Sequence, residues 1–180
     1  MEKNLTHIAL FAALIAVLGL VPKIDLAAGV PITAQSLGVM LCGTVLGSKR
    51  GALAVLLFLA LTAIGLPLLS GGRGGLGVFT SPSVGYLIGF PIAAFVAGLI
   101  VERTTAPIGY AAFGGAVLGG IVVLHILGII GMSFMLNKTF LEAAALDIPF
   151  LPGDAIKALL AGVITRSIAQ MRPEALLSRT

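Results

Sequence analysis

From Leu5 to Ala169 the chain is a succession of apolar runs, several close to twenty residues long, separated by short stretches of Gly, Pro and charge. That pattern limits the fold more than any single motif does. About twenty apolar residues in a helix cross the hydrocarbon core of a bilayer. The runs are continuous, unlike the alternating segments of about ten residues that build a membrane β-barrel. Only 10% of the residues are charged and 58% are hydrophobic, against about 25% charged in a soluble domain. A soluble fold has nowhere to place so much apolar surface. The 24 glycines suit the close helix approach found in membranes. These features predict an all-α integral membrane protein with six transmembrane helices, a single transmembrane domain over residues 1–180.

The first span is expected over Leu5–Val21, ended by Pro22 and retained, because no signal-peptide cleavage pattern follows it. The second is short, from about Thr33 to Leu46. The third runs from Gly51 to about Leu69, before a glycine-rich loop at Ser70–Gly77. The fourth spans about Ser83–Val101 and the fifth about Ile108–Met135. A polar connection, Leu136–Leu151, leads to the sixth, from Pro152-Gly153 to about Ala169. With the N-terminus in the cytoplasm, Lys3, Lys49, Arg50, Arg103, Arg166, Arg172 and Arg179 lie inside, and Lys23, Arg73 and Lys138 outside. That bias follows the positive-inside rule. Both termini are therefore expected in the cytoplasm, and the net charge of +4 is a loop bias with no call for nucleic acid as a partner.

Residues able to carry chemistry gather on the outward side. In Pro152-Gly153-Asp154-Ala155-Ile156-Lys157, Pro and Gly suit a helix start. Asp154 and Lys157, three apart, share one helical face. Ionisable groups inside a membrane helix usually face a partner, a cavity or a substrate. The plainer reading is mutual neutralisation, or a lysine snorkelling to the headgroups. Arg73 sits in the glycine loop, which includes Gly75, as a bidentate carboxylate donor or as a solvated loop residue. Tyr86, after Gly85, opens the fourth helix, to stack on a ring or to mark the membrane interface. Gln35 opens the second, as a ligand contact or an interhelical hydrogen bond. His125 lies deep in the fifth helix, as a proton relay or a hydrogen-bonded packing residue. Ala9/Ala13 and Ala12/Ala16 form two small-xxx-small pairs on the first helix, either packing within the protein or receiving another chain. Gly43/Gly47 and Gly115/Gly119 have the same spacing and an internal packing role suffices for them.

The absences narrow the function. Gly43-Thr44-Val45-Leu46-Gly47-Ser48-Lys49 lacks the Gly-Lys-Ser/Thr order of a phosphate loop. The lone Cys42 excludes a disulfide framework and a zinc cluster. With no metalloprotease helix, nucleophile elbow or carboxylate cluster, the sequence predicts no enzyme, no metal and no cofactor. It also offers little for ion coupling.

Three motifs together resemble the BioY family, the biotin-binding substrate (S) components of energy-coupling-factor (ECF) vitamin transporters. They are Val-Pro-Ile-Thr-Ala-Gln-Ser-Leu-Gly-Val-Met-Leu-Cys-Gly from Val30, the glycine loop leading to Pro-Ser-Val-Gly-Tyr-Leu-Ile-Gly-Phe from Pro82, and Pro-Phe-Leu-Pro-Gly-Asp-Ala-Ile-Lys from Pro149. Here Val84 stands where the family commonly has glycine, and Arg73 interrupts the glycine run. The resemblance implies an S-component fold of six helices in the bacterial cytoplasmic membrane. It implies a transmembrane coupling protein and two cytoplasmic ATPase subunits as partners, besides the lipid bilayer, with Ala9, Ala12, Ala13 and Ala16 as the docking face.

For biotin as transported ligand, the expected contacts are Asp154 and Lys157 on the ureido ring, with Gln35, Gly75 and Gly85 close by. Tyr86, Leu76 and Phe79 would form an apolar wall, and Arg73 or else Lys157 would hold the valerate carboxylate. Competing expectations are an S component for another vitamin, such as riboflavin or thiamine, or a self-sufficient secondary transporter using His125 or Asp154 as its protonatable site. A membrane enzyme or a scaffold stands further off.

Overall fold

The computed structural model describes residues 2–26 and 28–179, excepting the side chains of Glu2 and Lys3, so the orientation argument from Lys3 lies outside the described residues. Eight α-helices form: α1 (Glu2–Leu18), α2 (Gln35–Leu46), α3 (Ser48–Ala63), α4 (Val84–Arg103), α5 (Ile108–Val117), α6 (Leu124–Leu136), α7 (Phe140–Asp147) and α8 (Leu151–Met171). A π-helical turn, Leu118–Val123, joins α5 to α6 in one rod. The six expected spans are thus α1, α2, α3, α4, the α5–α6 rod and α8. Among the described residues, Val84–Arg103, Ile108–Leu136 and Phe140–Met171 are long and apolar enough to cross a membrane. The other three helices are shorter, and among the described residues β-pairing is confined to isolated bridges at Ile24–Ile32 and Leu69–Arg73.

The bundle is built around α2. Eleven of its twelve residues are buried, and α1, α3, α4, α5 and α8 all pack on it. A helix apolar all round belongs in an interior. Glycine sets the closeness of this packing. A Cβ at Gly43 would stand 2.3 Å from the Ala94 carbonyl oxygen, and one at Gly119 would stand 2.3 Å from that of Ala93. Both small-xxx-small pairs containing these glycines therefore pack inside the protein.

The π turn keeps that seam continuous. Going down the rod, Gly115, Gly119, Leu124, Gly128 and Gly131 all meet α4. The steps are of four, five, four and three residues, and the step of five falls within the π turn. A π turn inserts one residue into an α-helix.

Several boundaries differ from expectation. α1 stops at Leu18, before Gly19. α3 begins at Ser48 and ends at Ala63, six residues short of Leu69, where Gly65 takes φ +113° and Pro67 follows. The glycine loop closes on itself by Leu69–Arg73 pairing and then forms a 3-10 turn at Leu76–Thr80. The polar connection holds a helix, α7, because Thr139 and Glu142 make a capping box, which satisfies orphan N–H groups at the helix start.

At the opposite end from that loop, Glu102 receives both the Ser48 N–H and its hydroxyl at 2.7 Å, capping α3 from α4. The chain's tail folds back beneath the bundle. Ser178 donates to the Thr44 carbonyl at 2.7 Å, and Arg179 donates to the carbonyls of Thr104 and Ala106, each at 2.7 Å.

Candidate ligand-binding site

A pocket opens beside the glycine loop, between the start of α2, the start of α4, α6 and the start of α8. Its polar lining is Thr33, Gln35, Ser36, Arg73, Ser83, Asp154 and Lys157, with the Tyr86 hydroxyl behind its ring. Its apolar walls are Val30, Pro31, Leu69, Leu87, Phe90, Leu124 and Phe150.

Asp154 and Lys157 are brought into this pocket by the first two turns of α8, as their spacing predicts. Lys157 Nζ donates to Asp154 Oδ1 at 2.8 Å, to the Thr33 carbonyl at 2.6 Å and to Ser36 Oγ at 3.0 Å. All three ammonium hydrogens are thereby used. Ser36 in turn donates to Asp154 Oδ1 at 2.9 Å. Pairing and hydrogen bonding of this kind make a buried charge tolerable, and Asp154 is only 5% exposed.

Gln35 borders the pocket, yet its amide serves the frame. It donates to the carbonyls of Ile15 at 3.1 Å and Leu68 at 3.0 Å, and accepts from the Ser70 N–H at 3.0 Å. Arg73 stands at the mouth, half-buried. Its Nε reaches the Ser70 carbonyl at 3.4 Å, and its terminal nitrogens make no hydrogen bond among the described residues. Nearby, Ser70 Oγ is buried without a hydrogen-bond partner.

Tyr86 offers the pocket its ring, while its hydroxyl donates to Asp147. Gly75 and Gly85 do not line the pocket. Gly75 turns the loop at φ +80°, a conformation open to glycine at no steric cost. Gly85 faces the other way, where a Cβ would lie 2.2 Å from the Leu127 carbonyl oxygen. Leu76 is exposed and Phe79 packs against the core, so the wall expected of them is made by Phe90, Phe150 and Leu87 instead.

The structure adds residues that sequence reasoning passed over: Ser36, Phe150 and above all Asp147, together with a defined setting for His125. Asp147 falls within the polar connection expected over Leu136–Leu151. It closes α7 and is 3% exposed. A signal was available, since Asp147 and Asp154 are seven apart, two turns along one helical face. His125, in the first turn of α6, lies between them. Its Nε2 meets Asp154 Oδ2 at 3.0 Å and its Nδ1 meets Asp147 Oδ2 at 2.6 Å.

The four alanines of α1 are divided. Ala9 and Ala13 are exposed, Ala16 is half-buried, and Ala12 is buried in the chain's own core. One small-residue pair therefore faces outward and the other inward.

Comparison with known proteins agrees with this architecture. The BioY family model matches residues 2–174. A biotin transporter BioY of Rhodobacter capsulatus is 56% identical, over 99% of this chain and 100% of that protein. A probable biotin transporter BioY of Bacillus subtilis is 41% identical, over 93% of this chain and 90% of its own. The crystal structure of the S-component for biotin from an ECF-type ABC transporter superimposes with a TM-score of 0.89 at 37% identity, covering 94% of this chain and 92% of that one.

Proposed function

The chain belongs to the BioY family, and from that membership we propose that it captures biotin at the outer face of the bacterial cytoplasmic membrane as the substrate component of an ECF transporter. One observation carries the reading. A single ion pair, Asp154–Lys157, lies in a pocket whose walls are aromatic and aliphatic side chains with a few polar groups, Thr33, Gln35, Ser36, Arg73 and Ser83, among them. Biotin needs that combination, since its fused rings are largely apolar and its ureido group carries two N–H donors and one carbonyl acceptor.

Asp154 accepts from Lys157 and Ser36 on one oxygen and faces His125 with the other. A carboxylate has about four acceptor positions, so one remains for a ureido N–H. Lys157 has no spare donor, and a ligand carbonyl displaces one of its three present acceptors. Arg73, with free terminal nitrogens at the mouth, takes the valerate carboxylate in two parallel bonds. Gln35 acts by holding the loop that carries Arg73 against α2.

Energy comes from partners, because the chain contains no nucleotide-binding loop. A transmembrane coupling protein and two ATPase subunits fill that role. The exposed Ala9/Ala13 pair is the docking face, with both chain termini in the cytoplasm.

Equilibrium binding of labelled biotin to purified protein tests the site. Asp154→Asn should weaken binding by more than about 1.5 kcal/mol, the loss expected for a hydrogen bond to a charged group. Unchanged affinity in the folded variant would sink the assignment. Uptake into proteoliposomes by this chain alone, without ATPases, would favour a secondary transporter.

A further inference from the structure

Behind the pocket lies a second polar layer that the binding model does not use. His125 is 5% exposed and is bounded by the carboxylates of Asp147 from α7 and Asp154 from α8. The rings of Tyr86 and Phe150 enclose it, with centroids at 6.1 and 6.4 Å and interplanar angles of 86° and 68°. The remaining partners point the same way. The Tyr86 hydroxyl donates to Asp147 Oδ1, while Lys157 and Ser36 donate to Asp154 Oδ1.

Each carboxylate thus already receives donors on the oxygen turned away from the imidazole and acts there as an acceptor. Two ionised carboxylates accept only, so each ring nitrogen must donate and the ring must carry both protons. The charges then sum to zero: Asp147 and Asp154 against His125 and Lys157.

We propose that His125 and Asp147 are positioning residues: an imidazolium clamped between two carboxylates that orients Asp154, and through the Tyr86 hydroxyl the Tyr86 ring, for the ligand. This rests on the binding reading above. His125 blocks one position on Asp154 Oδ2 and leaves the carboxylate a single direction in which to accept. Asp147 keeps the imidazole charged and, by taking the Tyr86 hydroxyl, turns the ring face to the pocket. Rotation of Asp154 would open a second acceptor direction and weaken selection for a ligand presenting N–H groups at one spacing.

The chain has two histidines, so a His7→Gln variant labelled with nitrogen-15 histidine in detergent micelles or nanodiscs reports His125 alone. At neutral pH both ring nitrogens should show the protonated signature. In Asp147→Asn the ring should return to a neutral tautomer, and biotin binding should fall by roughly tenfold, about 1.4 kcal/mol. The native protein should bind biotin evenly between about pH 6 and about pH 8, the range in which an ordinary histidine changes charge. Asp147→Asn should bind better at the lower pH and lose affinity as pH rises, because its imidazole then depends on the solvent for its second proton. A purely packing role for Asp147 would not produce that slope.

A neutral His125 in the parent protein overturns the proposal, and so does an Asp147→Asn variant with parental affinity and no pH slope. If Asp147→Asn does not fold, the parent spectrum and the pH profile of the parent decide between the two charge states. Parent protein that binds no biotin at any pH overturns the functional reading, and the spectrum still decides the charge of the layer.

Discussion

At Gln35 three backbone groups of different segments converge on one amide: two carbonyls, of Ile15 and Leu68, and the Ser70 N–H. No apolar residue can replace it. Gln35→Leu leaves those three groups without partners in a buried place, where each unsatisfied group costs about 1–3 kcal/mol. We expect a loss of about 3 kcal/mol after partial relaxation, seen as a lower unfolding temperature in detergent, with weaker biotin binding as the Arg73 loop loosens. An unchanged unfolding temperature would show that the loop is held by other contacts. Residue type and position were legible in the sequence here, but the amide's partners were not. They come from parts of the chain 20 to 35 residues away, and no local pattern announces them. Asp154 and Lys157 differ, because their partnership is i to i+3 on one helix, a relation the sequence states directly.

Among the elements, the π turn at Leu118–Val123 decides which side chains the fifth span presents. Gly115 before it, Gly119 within it, and Leu124, Gly128 and Gly131 after it all meet α4. His125, one residue on from Leu124, is aimed at the two carboxylates. Deleting Ile121 would turn everything beyond it by about 100° relative to the first half, the rotation of one residue in an α-helix. The variant should either lose the α4 seam or carry His125 away from Asp154. Low monodispersity on size exclusion, or folded protein without biotin binding, is the expected outcome; a deletion variant with parental affinity would contradict it. A π turn has no sequence signature in an apolar run, so the span was predicted as one uninterrupted helix. The missed α7 is a different case. Its capping box, Thr139 with Glu142, was readable, but the segment's polarity had suggested a plain connection.

At the scale of the molecule the two ends are unlike. One end carries the glycine loop, the pocket and α7. The other carries Lys49, Arg50 and Arg103, the Ser48–Glu102 cap and the tail anchored by Ser178 and Arg179. The orientation proposed for the chain rests on that division of charge. Cys42, the single cysteine, is fully buried, so an introduced cysteine has no competing thiol at the surface. In intact cells, Lys138→Cys should react with a membrane-impermeant maleimide and Arg103→Cys should not until the cells are opened. The reverse labelling would invert the proposed orientation and with it the side from which the ligand enters.

What the sequence by itself determined is the class of solvent, the number of spans and the Asp154–Lys157 pair. Hydropathy and helical periodicity are properties of neighbouring residues, and they act wherever the chain is placed. Only the tertiary structure decided that Asp147 and His125 join that pair, that Gly85 faces α6 rather than the pocket, and that Ala12 turns inward while Ala9 and Ala13 face out. Those outcomes depend on how separate helices are rotated about their axes when they pack. In an apolar sequence nearly every face of a helix is equally suited to burial, so rotation is set by glycine contacts and buried hydrogen bonds between distant segments.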